Sequence, residues 1–139
     1  MSKRVFLSLA AVLLCAFAAV AQENDPQKRE KEFFENLDKQ ISQMTTTLDL
    51  EDWQVFYVDS ILTHDYQAMQ QELTELQKKK VSNTDIYNEV VYNWQDKIDN
   101  ALQKVFSDEQ WAKYQKNGAA RAKKARDKRR AKIGASKTQ

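Results

Sequence analysis

The side chains able to do chemistry are few and poorly placed to do it. His64 is the chain's single histidine, and with Asp65 beside it and Asp59 nearby it forms the one trio that resembles an active site. A catalytic histidine needs a nucleophile to activate and an acid to orient it. A zinc site needs further ligands at suitable spacing. Neither can be read around residue 64, so the trio reads as a solvated surface histidine. Cys15 is the single cysteine, which excludes a Cys/His zinc cluster and an intrachain disulfide framework. Gly118 and Gly134, the two glycines, both lie near the C-terminus, so no glycine-rich phosphate loop or dinucleotide fingerprint is possible. The expectation is a protein without catalytic residues, cofactor or metal.

What the sequence offers instead is surface. Trp53, Phe56, Tyr57 and Ile61 fall in a block, residues 53–62, where seven of ten positions are apolar. A helix that is apolar nearly all round wants cover on both sides, which makes these four the candidate client or dimer interface. The other tryptophans and tyrosines fall mostly on apolar stripes and read as core, with Tyr92 off the stripe and expected at the surface. Charge supplies a second surface. Residues 22–111 carry 9 Lys/Arg and 19 Asp/Glu, a net of −10, whereas residues 112–139 carry 11 Lys/Arg and one acid, a net of +10. Such segregation marks an interaction segment, directed either at an outside polyanion or at the acidic body of the same or a neighbouring chain. Arg121, Lys123, Lys124, Arg126, Lys128, Arg129, Arg130 and Lys132 are the candidate polyanion-binding residues.

The elements that must position these surfaces are helical. A chain of 139 residues with two Gly and one Pro lacks the turn formers of a sandwich or barrel. Asp25-Pro26 starts a first helix, with Asp as cap and Pro at the first helical position. Its apolar stripe is Phe34, Leu37, Ile41, Met44 and Leu48, widened by Phe33, and the β-branched run Thr45–Thr47 is expected to end it. A second helix begins near Asp49–Asp52, acids that suit a positive N-terminal dipole end, and runs to Lys78–Lys80. At that length it would reach about 45 Å. Leu62, Tyr66, Met69, Leu73 and Leu76 form its stripe. Ser82-Asn83-Thr84 offers three caps for a third helix, whose stripe is Tyr87, Val91, Trp94, Ile98, Ala101 and Val105, flanked by Val90 and Leu102. Ser107 and Gln110 make a capping box for a fourth helix, which Asn117-Gly118 can end. Residues 119–133 favour helix by composition but carry no large apolar side chain before Ile133, so they are expected to protrude or fray.

The 3,4 spacing of the stripes is that of coiled-coil-like, shallow packing. The expected fold is all-α, four helices in an elongated antiparallel arrangement, a homodimer, with a basic C-terminal tail; a compact four-helix monomer is the alternative. The organisation read is 1–21 signal peptide, 22–118 helical domain and 119–139 tail. Lys3 and Arg4 precede an uncharged apolar stretch, residues 5–20, that closes with Ala19-Val20-Ala21. That is the pattern of a secretory signal cut after Ala21, and the stretch is short of the ~20 residues of a membrane span. Export to the periplasm follows, and it argues against nucleic acid as the partner of the basic segment.

Two motifs, Leu50 to Gln54 at the start of the second helix and Phe106, Ser107 and Gln110 at the start of the fourth, resemble the L-T-x-x-Q motif of the Spy/CpxP-type periplasmic proteins. Glu51 stands in the first copy where that motif has Thr, and Phe106 and Ser107 replace Leu and Thr in the second. The resemblance covers residues 26–116. It implies four helices pairing as a thin, curved antiparallel dimer, with ATP-independent chaperone activity or envelope-stress sensing and unfolded or envelope proteins as clients. The alternative expectation is a non-enzymatic adaptor whose basic tail docks on an anionic envelope surface, anionic lipid or lipopolysaccharide. Without Leu, Phe or Trp, such a tail binds by charge and does not insert.

Overall fold

The computed structural model describes residues 25–138, and these are all-helical, with no strand among the described residues. The helices are α1 (Pro26–Leu48), α2 (Asp52–Lys78), α3 (Thr84–Val105), α4 (Asp108–Tyr114) and α5 (Ala120–Ser136). The signal expected at residues 1–21, with its cut after Ala21, lies outside the described residues. The described residues divide into two compact units, 25–55 and 56–138.

In the first unit, the Asp25 side chain caps α1 by accepting the N–H of Gln27 at 3.0 Å, with Pro26 opening the helix. Leu37, Ile41 and Leu48 of the expected stripe are buried, while Phe34 and Met44 are half-buried. The helix does not stop at the threonines. Thr45 and Thr46 turn their hydroxyls back onto the carbonyls of Ile41 and Ser42, at 2.8 and 3.1 Å, a bond compatible with helix continuation. The stop comes instead at Asp49, whose φ of 51° is left-handed, a conformation that Asp tolerates better than most residues.

In the second unit, Val58, Leu62, Tyr66, Met69 and Leu73 form the buried stripe of α2. After Lys78 the chain turns through Lys80, at φ 56°, and Asn83 caps α3 by accepting the N–H of Asp85. The Tyr87 hydroxyl donates to the Val81 carbonyl at 2.7 Å and pins this turn. Two long-range bonds join α2 to α3: Trp94 Nε1 donates to Glu72 at 2.7 Å, and Gln95 Nε2 lies 3.4 Å from the Tyr66 hydroxyl. On α3 the buried residues are Val90, Tyr92, Ile98 and Leu102. Tyr92, expected at the surface, is therefore core. Phe106 breaks α3 in extended conformation, and its ring packs edge-on against Tyr114 of α4.

Asn117-Gly118 ends the fourth helix at a kink, and the basic segment beyond it departs from expectation. Residues Gln115–Ala119 make a wide, π-type turn in which Gly118 takes φ 131°, ψ −16°, and α5 resumes at once. Residues 119–133 neither protrude nor fray: α5 packs against α3, with Arg126 and Ile133 8% and 9% exposed. Apolar content does not reveal this contact, which is built largely from charged side chains whose aliphatic stems cover surface while their heads pair.

Candidate functional site

The two motif copies perform the same local task. At α4, Ser107 Oγ accepts the Gln110 N–H at 3.2 Å and Gln110 Oε1 accepts the Ser107 N–H at 2.9 Å, a complete capping box. At α2, Gln54 Oε1 accepts the Glu51 N–H at the same 2.9 Å. There the Glu51 carboxylate accepts the indole N–H of Trp53. Leu50 and Phe106 precede the two caps, and both are buried. A buried Leu50 or Phe106 fixes how the chain enters the helix, as a hydrophobic staple does.

The candidate interface residues sit at the start of α2. Trp53, Phe56 and Tyr57 are 52%, 67% and 52% exposed, and Ile61 is half-buried. They lie at i, i+3, i+4 and i+8 of one helix, hence along one face. The Phe56 and Tyr57 rings meet edge to face at 5.6 Å. The opposite side of the same helix buries Val58 and Leu62 completely. The block thus splits into a buried side and an exposed aromatic side.

His64 projects into solvent, its side chain 75% exposed, with Nδ1 2.8 Å from the buried Asp65. Asp59 is engaged separately, accepting the Thr63 hydroxyl at 3.0 Å. Asp59, Ser60, Thr63, His64 and Gln67 line an open surface depression. No cluster of three His, Cys, Asp or Glu side chains able to hold a metal occurs among the described residues. No described helix is long and apolar enough to cross a membrane.

The cations of α5 divide by face. Arg126 is the inward anchor: its Nε and Nη2 donate to Asp96 Oδ1 at 3.2 and 2.9 Å, and Nη2 also donates to Asp99 Oδ2 at 2.8 Å. Asp99 in turn accepts the Tyr114 hydroxyl at 2.9 Å. One turn on, Arg130 donates to Asp96 at 2.6 Å and to Asn93 at 3.0 Å. Arg129 lies 3.3 Å from the Tyr92 hydroxyl, and Lys137 pairs with Glu89 at 3.0 Å. Burial works to raise the pKa of Asp96, but hydrogen bonds and charge from Arg130 and Arg126 hold it below the ordinary carboxylate value. Burial works to lower that of Arg126, and Asp96 and Asp99 raise it instead. Tyr114 is pushed well above the ordinary phenol value, by burial first and then by the negative Asp99.

Of the eight candidate polyanion-binding residues, Arg126 and Arg130 are thus ion-paired within the fold, Arg129 is tied to Tyr92, and Lys123 pairs with Asp127 at 2.7 Å. Arg121, Lys124, Lys128 and Lys132 remain exposed, with no ion pair among the described residues. The partners that sequence reasoning did not single out are Glu89, Tyr92, Asn93, Asp96 and Asp99 on α3. Their signal was available as a matching of periodicities: acids at 89, 96 and 99 against cations at 126, 130 and 137 repeat at helical spacing on both sides.

Set against known protein families, curated proteins and solved structures, the chain finds no match.

Proposed function

We propose that this protein is an exported, non-enzymatic helical binding protein that holds unfolded or envelope proteins through the aromatic face of α2, without ATP or cofactor, as the Spy/CpxP-type resemblance implies. The observation that carries the reading is the exposure of Trp53, Phe56 and Tyr57 on a helix whose other side is core. Aromatic side chains bury large area at low entropic cost and dominate the energetics of apolar recognition. A row of them more than half exposed is more than the scattered surface apolar residues that any protein shows. In this reading the protein acts as an antiparallel homodimer in the periplasm, and the acidic exterior keeps client-laden protein soluble.

The test is light scattering of an aggregating unfolded client, with the mature chain, residues 22–139, at a few-fold molar excess. The wild-type chain is expected to slow aggregation, and F56Q/Y57Q to lose that effect while its helical circular dichroism and unfolding midpoint stay near wild type. Failure of the wild-type chain to slow aggregation overturns the reading. Full protection by F56Q/Y57Q removes the aromatic face from it.

A further inference from the structure

We propose that α5 is a two-faced docking helix whose outward stripe, Arg121, Lys124, Lys128 and Lys132, seats the protein on the surface of an anionic lipid bilayer. The stripe is defined by what the other cations are doing. Arg126, Arg130 and Lys137 lie at i, i+4 and i+11 and pair with Asp96, Asp99 and Glu89 on α3, with Ile133 buried among them in sequence. The residues of the stripe follow at intervals of 3, 4 and 4, which places them on one face of the helix, opposite Arg126. All four are exposed, and none is ion-paired among the described residues. Asp127, the one acid of the segment, is held to the side by Lys123 and Arg130. Its carboxylate therefore does not neutralise the stripe.

Three features select a bilayer surface as the occupant. From 121 to 132 the row extends about 16 Å along a straight helix, and the forked contacts of Arg126 fix the roll of that helix, so the four charges lie in one line and meet a flat surface together. Between them stand Ala125 and Ala131, both exposed; short side chains let the long cationic ones reach a plane without obstruction. No Leu, Phe or Trp accompanies them, so the contact is electrostatic and does not insert. Duplex nucleic acid would also attract the charge, but the face has no amide or aromatic side chain to meet a base or sugar edge.

Each cation at an anionic leaflet strengthens binding by roughly fivefold, so removal of four is expected to weaken it by about a hundredfold or more. The experiment is co-sedimentation of the mature chain with phosphatidylcholine vesicles, with and without phosphatidylglycerol. Expected are binding only to the anionic vesicles, its loss as salt rises toward the molar range, and loss in R121Q/K124Q/K128Q/K132Q. A charge-matched control, K39Q/K79Q/K80Q/K104Q, is expected to keep binding within a few-fold of wild type. The salt dependence is read on the wild-type protein and needs no variant to fold. Equal binding to neutral vesicles, no binding to anionic ones, or equal loss in both variants overturns the proposal. Tighter binding to a DNA duplex than to anionic vesicles at the same salt overturns the choice of lipid.

Discussion

Arg126 Nη2 on α5 donates to Asp99 Oδ2 on α3 at 2.8 Å, although 27 residues separate the two in the chain. Asp96 accepts from Nε and Nη2 of the same guanidinium, so one buried cation is paired with two acids. Breaking such a pair from one side costs more than the pair contributes, because the acids left behind lose their shared cation and, among the described residues, Asp96 keeps Arg130 alone, Asp99 only the Tyr114 hydroxyl. Arg126→Ala is therefore expected to destabilise the mature chain by about 2–4 kcal/mol, and Arg126→Lys, which keeps charge but loses the fork, by less. Urea unfolding measures both. Amide exchange checks the location, since α5 is expected to lose protection first. A loss below about 0.5 kcal/mol, within the range of ordinary surface substitutions, would show that the contact does not hold the helix.

The same cluster sets a pH response with two limbs. Asp96 has a folded pKa below its ordinary 3.8, so its contribution is complete above that value and is lost as pH falls from 3.8 through the folded pKa. Tyr114 has a folded pKa well above its ordinary 10.0. Its contribution is complete below pH 10 and is lost as pH rises toward the folded value. Denaturant midpoints measured across pH are expected to fall at both ends. Asp96→Asn should flatten part of the acid limb and leave the alkaline limb alone, and Tyr114→Phe should do the reverse. A Tyr114→Phe profile parallel to wild type above pH 10 would contradict the assignment.

The helix starts and most of the core were legible because they depend on local chemistry. Asp25-Pro26, Asn83 and the Ser107–Gln110 box act within a few residues of themselves, and Leu62, Tyr66, Met69 and Leu73 repeat at a period that only a helix can bury on one side. Tyr92 was misplaced because the element that covers it, α5, presents charged stems and heads. Apolar periodicity does not register such a partner. The charge segregation did register it, as one of two candidate destinations for the basic segment, but it could not sort Arg126 and Arg130 from Lys128 and Lys132. That sorting depends on the roll of α5, which Arg126 sets through contacts 30 residues distant.

The two glycines are expected to respond oppositely to the same substitution. At Gly118, with φ 131°, an alanine Cβ would meet nothing within 4 Å, so the whole cost is backbone conformation, about 1–3 kcal/mol. At Gly134 there is also nothing within 4 Å, and the residue lies inside α5, where Ala is favoured by roughly 0.5–1 kcal/mol. Gly118→Ala should lower, and Gly134→Ala raise or preserve, the unfolding midpoint of the mature chain. A neutral Gly118→Ala would mean that the kink between α4 and α5 relaxes without cost.

The paired helix starts allow a gain to be engineered. Gln54 and Gln110 make the same backward bond, at 2.9 Å in each case, and the carbonyls of Glu51 and Ser107 accept the first helical N–H groups, of Val55 and Trp111, at 3.0 and 2.8 Å. The cap side chains differ: Ser107 accepts the Gln110 N–H, whereas the Glu51 carboxylate accepts the exposed indole N–H of Trp53. Ser in place of Glu51 would put a favoured cap hydroxyl at the start of α2, at the loss of one solvent-exposed side-chain bond and one charge near the helix dipole. Capping by Ser contributes about 1 kcal/mol, against a few tenths to 1 kcal/mol for the charge. Glu51→Ser is thus expected to be neutral to stabilising by up to about 0.5 kcal/mol, whereas Ser107→Ala costs about 1 kcal/mol. Gln54→Ala should cost more than Gln110→Ala, since Gln54 is 4% exposed and its loss leaves a cavity as well as an unmet N–H. Urea midpoints of the four variants decide the matter, and a Glu51→Ser chain less stable than wild type by 1 kcal/mol or more would show that the indole bond, and not the cap, holds the start of α2.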